Sequence, residues 1–209
     1  PQGYRPAIRR YTVSQPGRLQ SLITAADRRT LRHIKVVGPI NGRDIALLRQ
    51  MAGGRRNGRH IPGNLATIDL SEAVILTLPD SAFYGCENLT YVSLPLTLPE
   101  ISTCAFASCS RLNRVDIHSM VADIKAKAFS ACFSLTAVSL PFGLKTIGAN
   151  AFNSCHNLTD VYLPPMLTTI GNGAFANASR LSQLTLPRAT KHVGRDIVKG
   201  TQVKNIRRL

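Results

Sequence analysis

The sequence lacks most of the features that would indicate catalysis or a membrane span. The chain of 209 residues has no tryptophan, only 6% aromatic residues, and 11 acidic residues against 26 lysines and arginines. No run approaches the roughly 18 apolar residues that a membrane-spanning helix requires. No phosphate-binding loop, zinc-protease, paired-cysteine or serine-hydrolase motif occurs, and the five histidines are scattered. We therefore expect no catalytic residues, no metal site and no cofactor.

The net charge of +15 is carried by the two ends of the chain. Residues 1–60 contain thirteen basic and two acidic residues (+11), and residues 188–209 contain seven and one (+6). The middle, residues 61–187, contains six basic and eight acidic residues (−2). Basic ends can bind anionic polymers, although such runs are more often solvated surface. No aromatic residues interleave with the C-terminal basic run, so we expect no specific nucleic-acid partner.

What the sequence does contain is one apolar pattern, repeated five times at an interval of 23 residues. Each copy begins with an Ala-Phe pair, and the phenylalanines are Phe83, Phe106, Phe129, Phe152 and Phe175. An L-x-x-V-x-L segment follows each pair with conservative apolar exchanges, and its alternation predicts a strand. A fixed period in the low twenties with apolar residues in register is typical of a solenoid.

Four of the five cysteines follow the same period: Cys86, Cys109, Cys132 and Cys155. In stacked coils their Cβ directions would be nearly parallel, which is unfavourable for a disulfide. Zinc requires a tetrahedral cluster rather than a row. We therefore predict a column of buried, reduced thiols. Cys104 falls outside this column and is predicted to be the accessible thiol.

The ends of the chain depart from the pattern and are predicted to cap it. The predicted organisation is a linker or arm over residues 1–20, an N-terminal capping region with one helix over 21–63, leucine-rich repeats over 64–187, and a degenerate C-terminal cap over 188–209. Asn41 is the expected N-cap of the helix, with Asp44 at the positive end of its dipole. The helix should stop at Gly53. A strand-like remnant is expected at Val203–Ile206.

The repeat AFNSCHNLTDVYLPPMLTTIG, residues 151–171, resembles the BspA-like, or Treponema pallidum-type, leucine-rich repeat. The family pattern A-F-x-x-C-x-x-L-x-x-V-x-L-P-x-x-L-x-x-I-G matches about residues 80–187, with departures at His118 (for Pro) and Ala178 (for Cys). Residues 31–53 resemble the N-terminal cap of secreted leucine-rich repeat proteins of Bacteroides and relatives. The resemblance implies an α+β solenoid, a right-handed leucine-rich-repeat coil with parallel strands on one face and a helical N-terminal cap.

The same resemblance implies an exported bacterial protein, because members of this family are associated with adhesion to host matrix proteins and to other bacteria. We therefore expect a non-catalytic, secreted or outer-surface module for protein binding or adhesion. The expected partner is a host extracellular-matrix protein, a bacterial surface protein or a glycan. A signal sequence or lipid anchor is expected outside the printed sequence.

Solenoids usually bind through the outward residues of the strand face, where aromatic residues and arginine are best suited to contact a partner. The predicted ligand-binding residues are Tyr91, Arg114, Asp116, His118, Asp160 and Tyr162. Two alternatives remain open: the basic ends bind anionic polysaccharide electrostatically, or the chain is a structural spacer. An uncovered solenoid end also offers a route to dimerisation.

Overall fold

The computed structural model describes residues 8–56 and 59–209, which form a parallel-strand solenoid with a few short helices at its N-terminal end. The helices are α1 (Leu19–Leu22), α2 (Ala25–Thr30) and α3 (Gly42–Met51). The N-terminal strands are β1 (Arg9–Thr12), β2 (His33–Pro39), β3 (Arg55–Arg56), β4 (Arg59–His60), β5 (Thr67–Asp69) and β6 (Ala73–Val74). The coil strands are β7 (Tyr91–Ser93), β8 (Glu100–Ile101), β9 (Arg114–Asp116), β10 (Asp123–Ile124), β11 (Ala137–Val138), β12 (Thr146–Ile147), β13 (Asp160–Val161), β14 (Thr169–Ile170), β15 (Thr185–Leu186), β16 (His192–Val193) and β17 (Arg207–Arg208).

Two parallel sheets form the sides of the solenoid. The first has the order β1-β2-β5-β7-β9, with β6 paired to β2, and is continued by the pairs β11-β13 and β15-β17. The second has the order β16-β14-β12-β10-β8. Equivalent residues of successive coils pair directly, as Val92 does with Val115 and Ile124 with Ile147. The predicted coil is confirmed, and its strand face is the first sheet.

Phenylalanine rings stack along the centre of the coils. The five repeat phenylalanines are fully buried, and neighbouring rings have centroids 5.3–5.4 Å apart with interplanar angles of 3–11°. Each of the three inner rings, Phe106, Phe129 and Phe152, is therefore covered above and below by an identical ring, in an offset stack that adds to the stabilisation from burial alone. This repetition explains why the same residue types must recur at the same positions.

The cysteine column is buried and reduced, as the period predicts. The thiols of Cys109, Cys132 and Cys155 donate to the phenylalanine carbonyl one coil earlier, at 3.1–3.2 Å. Burial raises the pKa of Cys109 to about 12, so this thiol stays protonated and remains a donor. The predicted accessible thiol, Cys104, is half-buried and lies outside the column.

The Ala-Phe segment turns by placing two residues of each coil in the left-handed region. Cys104 and Ser108 have φ values of 54° and 61°, and the equivalent Lys127 and Ala131 have 56° and 58°. In this conformation alternate N–H groups point at the next coil, so that the N–H of Phe106 donates to the carbonyl of Ala128 at 2.8 Å. The turn thus forms a hydrogen-bonded ladder of its own between the two sheets.

The N-terminal end is closed by α3 and by a buried carboxylate. Asn41 caps α3 as predicted, in a capping box with Asp44. The Asp44 side chain is only 1% exposed and also accepts from the backbone N–H of Gly17 (2.6 Å) and of Leu19 (3.0 Å). One carboxylate therefore fixes the start of α3 and the segment that leads into α1.

The predicted linker over residues 1–20 is wrong for the residues that the structure describes. Residues 9–12 form β1, which pairs with β2 and extends the first sheet, and α1 begins at Leu19. Gly38 permits this pairing, because a Cβ there would overlap the carbonyl oxygen of Val13. Residues 1–7 of the predicted arm lie outside the described residues. Three helices lie between residues 19 and 51: the short α1 and α2, in the stretch where the spacing of Leu19, Leu22 and Ile23 indicates a short helix, and α3, the helix predicted after Asn41.

The coil continues beyond the predicted end of the repeats at residue 187. Ile197 and Val198 occupy the Ala-Phe position of a further coil, and the N–H of Phe175 donates to the carbonyl of Ile197 at 2.9 Å. The strand-like remnant predicted at Val203–Ile206 is displaced, because the strand that pairs with β15 is Arg207–Arg208. The C-terminal residues therefore add another, less regular coil.

Candidate functional site

Four of the six predicted ligand-binding residues lie together on the strand face. Tyr91 and Arg114 are direct neighbours in the register of β7 and β9. The Tyr91 hydroxyl donates to Asp116 Oδ2 at 2.5 Å, and Arg114 Nε donates to Asp116 Oδ1 at 2.9 Å. The Arg114 guanidinium also lies 5.5 Å from the centroid of the Tyr91 ring. We call these three residues the tyrosine-arginine cluster.

The charges within this cluster compensate one another. Burial and then the hydrogen bond to Asp116 raise the pKa of Tyr91, so its phenol stays neutral. Asp116 in turn raises the pKa of Arg114. Because Asp116 is shared between a phenol and a guanidinium, its carboxylate is not free to bind a cation. The cluster offers a partner the exposed outer side of Arg114, whose side chain is 70% exposed.

His118 borders the cluster, at the position that proline occupies in other coils. Its Nε2 lies 3.4 Å from Ser93 Oγ. Ser93 is only 5% exposed, although strand alternation places it on the outward side of β7 next to Val92.

Asp160 and Tyr162 lie apart from the cluster. Tyr162 occupies the strand position of Asp116 two coils further on, about 10 Å along the stack. It is 88% exposed and has no hydrogen bond or ring contact among the described residues. Asp160 is exposed and accepts from the Thr159 hydroxyl at 2.8 Å. The six predicted residues thus form two groups on one face rather than one patch.

A row of exposed apolar side chains follows the strand face, four of them in the turn after a coil strand and one, Val74, at the end of β6. We call this row the turn edge, and it consists of Val74, Leu96, Met120, Phe142 and Met166. Their side chains are 47–71% exposed. Each comes from a different coil, at one of two adjacent positions after the strand, so the row spans about 19 Å over four coil steps.

Sequence reasoning missed the turn edge because it searched only the strand positions. A signal was present, since the two positions after the strand carry a large apolar residue in each of five successive coils. Repeat positions that point to solvent have no structural need for apolar residues. A row of exposed apolar side chains is therefore typical of an interaction surface.

Comparison with known proteins agrees with this architecture. Residues 76–204 match the BspA type leucine-rich repeat region in six copies. The chain belongs to this family. The match extends past residue 187 and includes the coil that contains Ile197, which the sequence analysis had assigned to a degenerate cap. A search of the curated proteins finds no match.

Several solved structures are similar to this BspA-type protein. A leucine-rich repeat protein of T. pallidum is 29% identical, with a TM-score of 0.51 over 68% of this chain and 66% of that one. A leucine-rich cell surface protein of Faecalibacterium prausnitzii is 21% identical, with a TM-score of 0.62 over 89% and 52%. A leucine-rich repeat protein of Eubacterium ventriosum is 18% identical, with a TM-score of 0.52 over 82% and 60%. The chain thus spans between half and two thirds of these proteins, and the latter two support the fold alone.

Two further observations limit the chemistry of the described part of the chain. Within residues 8–56 and 59–209, no cluster of three or more His, Cys, Asp or Glu side chains is placed to hold a metal ion. Over the same residues, no helix has the length and apolar character needed to cross a membrane.

Proposed function

We propose that this BspA-type repeat protein is a non-catalytic adhesion module, secreted or displayed on the outer cell surface. It binds a partner protein through its strand face and the adjoining turn edge. The partner is a host extracellular-matrix protein or a protein on another bacterial surface. The observation that carries the proposal is the exposed apolar row of the turn edge, next to the free ring of Tyr162.

The strand face and the turn edge complement each other as a contact surface. The turn edge supplies apolar area, with Phe142 71% exposed and Met120 62% exposed. The strand face supplies Tyr162 and Arg114, residue types that are enriched at the centres of protein interfaces. Because Arg114 and Tyr91 are already held by Asp116, little side-chain freedom is lost when a partner binds.

The family and the structural neighbours support the location. The F. prausnitzii neighbour is described as a cell surface protein. A curved or straight solenoid exposes one long face, which suits contact with an extended partner. These points support display outside the cell without identifying the partner.

The experiment is a binding screen of the purified chain against immobilised matrix proteins and bacterial surface proteins, at low and high salt. We expect salt-resistant binding to a protein, which Phe142→Ser combined with Met166→Ser should weaken at least tenfold. Tyr162→Ala should weaken it further. Since all three side chains are exposed, the variants should retain the stability of the native protein.

Leu22→Ser is the matched control, because Leu22 is an exposed apolar residue of α1, outside both surfaces. It should bind as the unaltered chain does. An equal loss of binding in Leu22→Ser would indicate non-specific hydrophobic binding rather than a defined site. Binding that is broad for anionic ligands and vanishes at high salt would favour the basic ends instead. No binding under either condition would favour the structural spacer.

A further inference from the structure

A small polar pocket lies at the edge of the first sheet, just before the strands begin. It has a volume of about 170 Å³ and is lined by Arg32, Asn64, Ala66, Asn88, Thr90 and Arg111. We call it the edge pocket. Its residues come from four successive coils, and the strand-face residues discussed above are not among them.

The backbone arranges these residues in two parallel columns. The N–H of Ala66 donates to the carbonyl of Arg32, and the N–H of Thr90 donates to the carbonyl of Ala66, both at 2.8 Å. Arg32, Ala66 and Thr90 therefore stack as one column. The second column contains the residues two positions earlier in three coils: Asn64, Asn88 and Arg111.

One of the lining residues, Ala66, has a small side chain. Later coils carry larger side chains at the position of Ala66: Thr90, Asn113, Thr136, Thr159 and Ser182. Thr90 uses its hydroxyl to donate to the carbonyl of Ala66 in the preceding coil, at 3.0 Å. Ala66 leaves unfilled the space that these larger side chains occupy in later coils.

Hydrogen bonds hold the amides of the pocket in place. Asn88 Nδ2 donates to the carbonyl of Gly63 at 2.6 Å, and Asn64 Nδ2 donates to the carbonyl of Arg29 at 2.5 Å. Each amide nitrogen has two hydrogens, so each retains a second donor. The amides are thus oriented before any ligand arrives.

The two guanidinium groups are not compensated. Neither Arg32 nor Arg111 forms an ion pair within residues 8–56 and 59–209, and no acidic residue lines the pocket. Burial, and after it the charge of Arg32, lowers the pKa of the adjacent His33. The pocket therefore combines two positive charges with spare amide donors around a space for a small group.

We propose that the edge pocket binds a single tetrahedral oxyanion, either free sulfate or phosphate or the same group carried as an ester on a larger molecule. Arginine forks and amide N–H donors match the geometry of such oxygens. Since the pocket holds only one such group, the rest of an esterified ligand lies outside it. This site is independent of the proposed protein-binding surface.

Two other places in the chain show what distinguishes this pocket. A cavity of about 580 Å³ beside α1 and α3 is lined by arginines but also by Asp80 and by apolar residues such as Ile45 and Pro79. Further along the second column, Arg180 follows Asn157 as Arg111 follows Asn88. There, however, Arg180 donates to Asn157 Oδ1 at 3.2 Å and so already has a partner.

The test is a nuclear magnetic resonance titration of the full chain with inorganic sulfate, inorganic phosphate and a heparin-derived oligosaccharide, at ionic strength held constant with chloride. We expect saturable shifts of the Arg111 side-chain N–H and the Asn88 amide. Arg111→Ala should weaken binding roughly tenfold, the size of a lost charge-assisted hydrogen bond. Arg180→Ala, the matched control, should change it less than twofold.

Ala66→Thr separates the pocket from general electrostatics, because it fills the space without removing a charge. Threonine is accommodated at the equivalent positions, so this variant should fold and lose the saturable shifts. The proposal fails if none of the three ligands shifts these signals saturably, or if Arg180→Ala weakens binding as much as Arg111→Ala. Binding of the oligosaccharide in place of sulfate, lost in Ala66→Thr, would show that the group is carried on a sugar. Shifts with the inorganic ions alone would show that the free ion is the ligand.

Discussion

The regular coils and the N-terminal cap close their cores in different ways. In the coils, rings, thiols and turns pack against the equivalent groups of neighbouring coils, as the stack of Phe83, Phe106 and Phe129 shows. In the cap the strand ladder continues through β1 and β2, but the side chains do not repeat and contacts between unlike groups close the core. Asp44, buried in the first turn of α3, ties together three backbone N–H groups from two segments.

This difference predicts how far the effect of a substitution spreads: to neighbouring coils when it lies in the repeats, and within the cap when it lies there. A ring removed from the coils leaves a cavity that both neighbouring coils feel, and repeat arrays transmit such damage through their nearest-neighbour interfaces. A contact removed from the cap should loosen the cap first. Lys35 of β2 also forms ion pairs with Asp69 and Glu72, which link the cap to the coil that follows it.

The largest effect is expected for Phe129→Ala. It removes a ring that is stacked on both sides, and loss of a buried phenylalanine costs about 4 kcal/mol in the free energy of unfolding. Urea denaturation followed by circular dichroism measures this loss. Phe129→Leu, which refills most of the volume, should cost about 1 kcal/mol. Equal losses for the two variants would show that the stack does not depend on filling this space.

Asp44→Ala should cost about 3 kcal/mol, because it leaves buried N–H donors without an acceptor. The damage should be confined to the cap. Cys86 reports on this boundary, since its thiol faces the carbonyl of Arg49 at 3.7 Å, whereas Cys132 lies between coils. Labelling with a thiol reagent in native buffer should therefore accelerate at Cys86 and stay slow at Cys132. Acceleration at both would mean that the cap and coils unfold as one unit.

Ala131→Gly should stabilise the protein, unlike most substitutions to glycine. Ala131 has a φ of 58°, and a left-handed conformation costs a residue with a Cβ about 1 kcal/mol. Gly85 holds the same position two coils earlier with a φ of 68°. Thermal denaturation should show a rise in the midpoint of a few degrees. Ala128→Gly, at a buried position not in that region, is the control and should lower the midpoint.

The smallest effect is expected for Asp69→Asn, and it should depend on pH. Burial alone would raise the pKa of Asp69, but hydrogen bonds from Ser71 and the ion pair with Lys35 outweigh it and hold this pKa below its ordinary value. A lowered carboxyl pKa stabilises the folded state above the ordinary value and loses that stabilisation as the pH falls through the folded value.

Urea denaturation of both proteins at pH 7, 4 and 3 measures this dependence. The unaltered chain should be the more stable at pH 7, and its advantage over Asp69→Asn should shrink as the pH falls below about 4. A difference that stays constant with pH would assign the effect to hydrogen bonding rather than to ionisation.

The coils could be predicted because each core position is stated several times in the sequence. Repetition shows which positions are buried, even where His118 or Ala178 breaks the pattern. The strand β1 could not be predicted in the same way, since it has a single buried residue, Tyr11, and its pairing depends on close contact with Gly38. Its Arg-rich, proline-flanked surroundings resemble a linker until β2 is in place.

The candidate surfaces, too, could be predicted only in part from the sequence. The sequence placed Tyr91, Arg114 and Asp116 on one face, because strand alternation decides which side chains point outward. It could not show that Asp116 is shared between the other two, which requires the register of two coils. The edge pocket depends on a side chain that is missing at Ala66, and a search for reactive residues does not detect an empty space.

The fixed distance between coils also sets the length of the turn edge. Successive regular coils pack through equivalent upper and lower faces. The stack can therefore gain or lose length only in whole coils. Each added coil with a large apolar residue at these positions would lengthen the apolar row by one side chain and about 4.8 Å. In relatives with a different number of repeats, the length of this contact surface would then differ in steps of one coil.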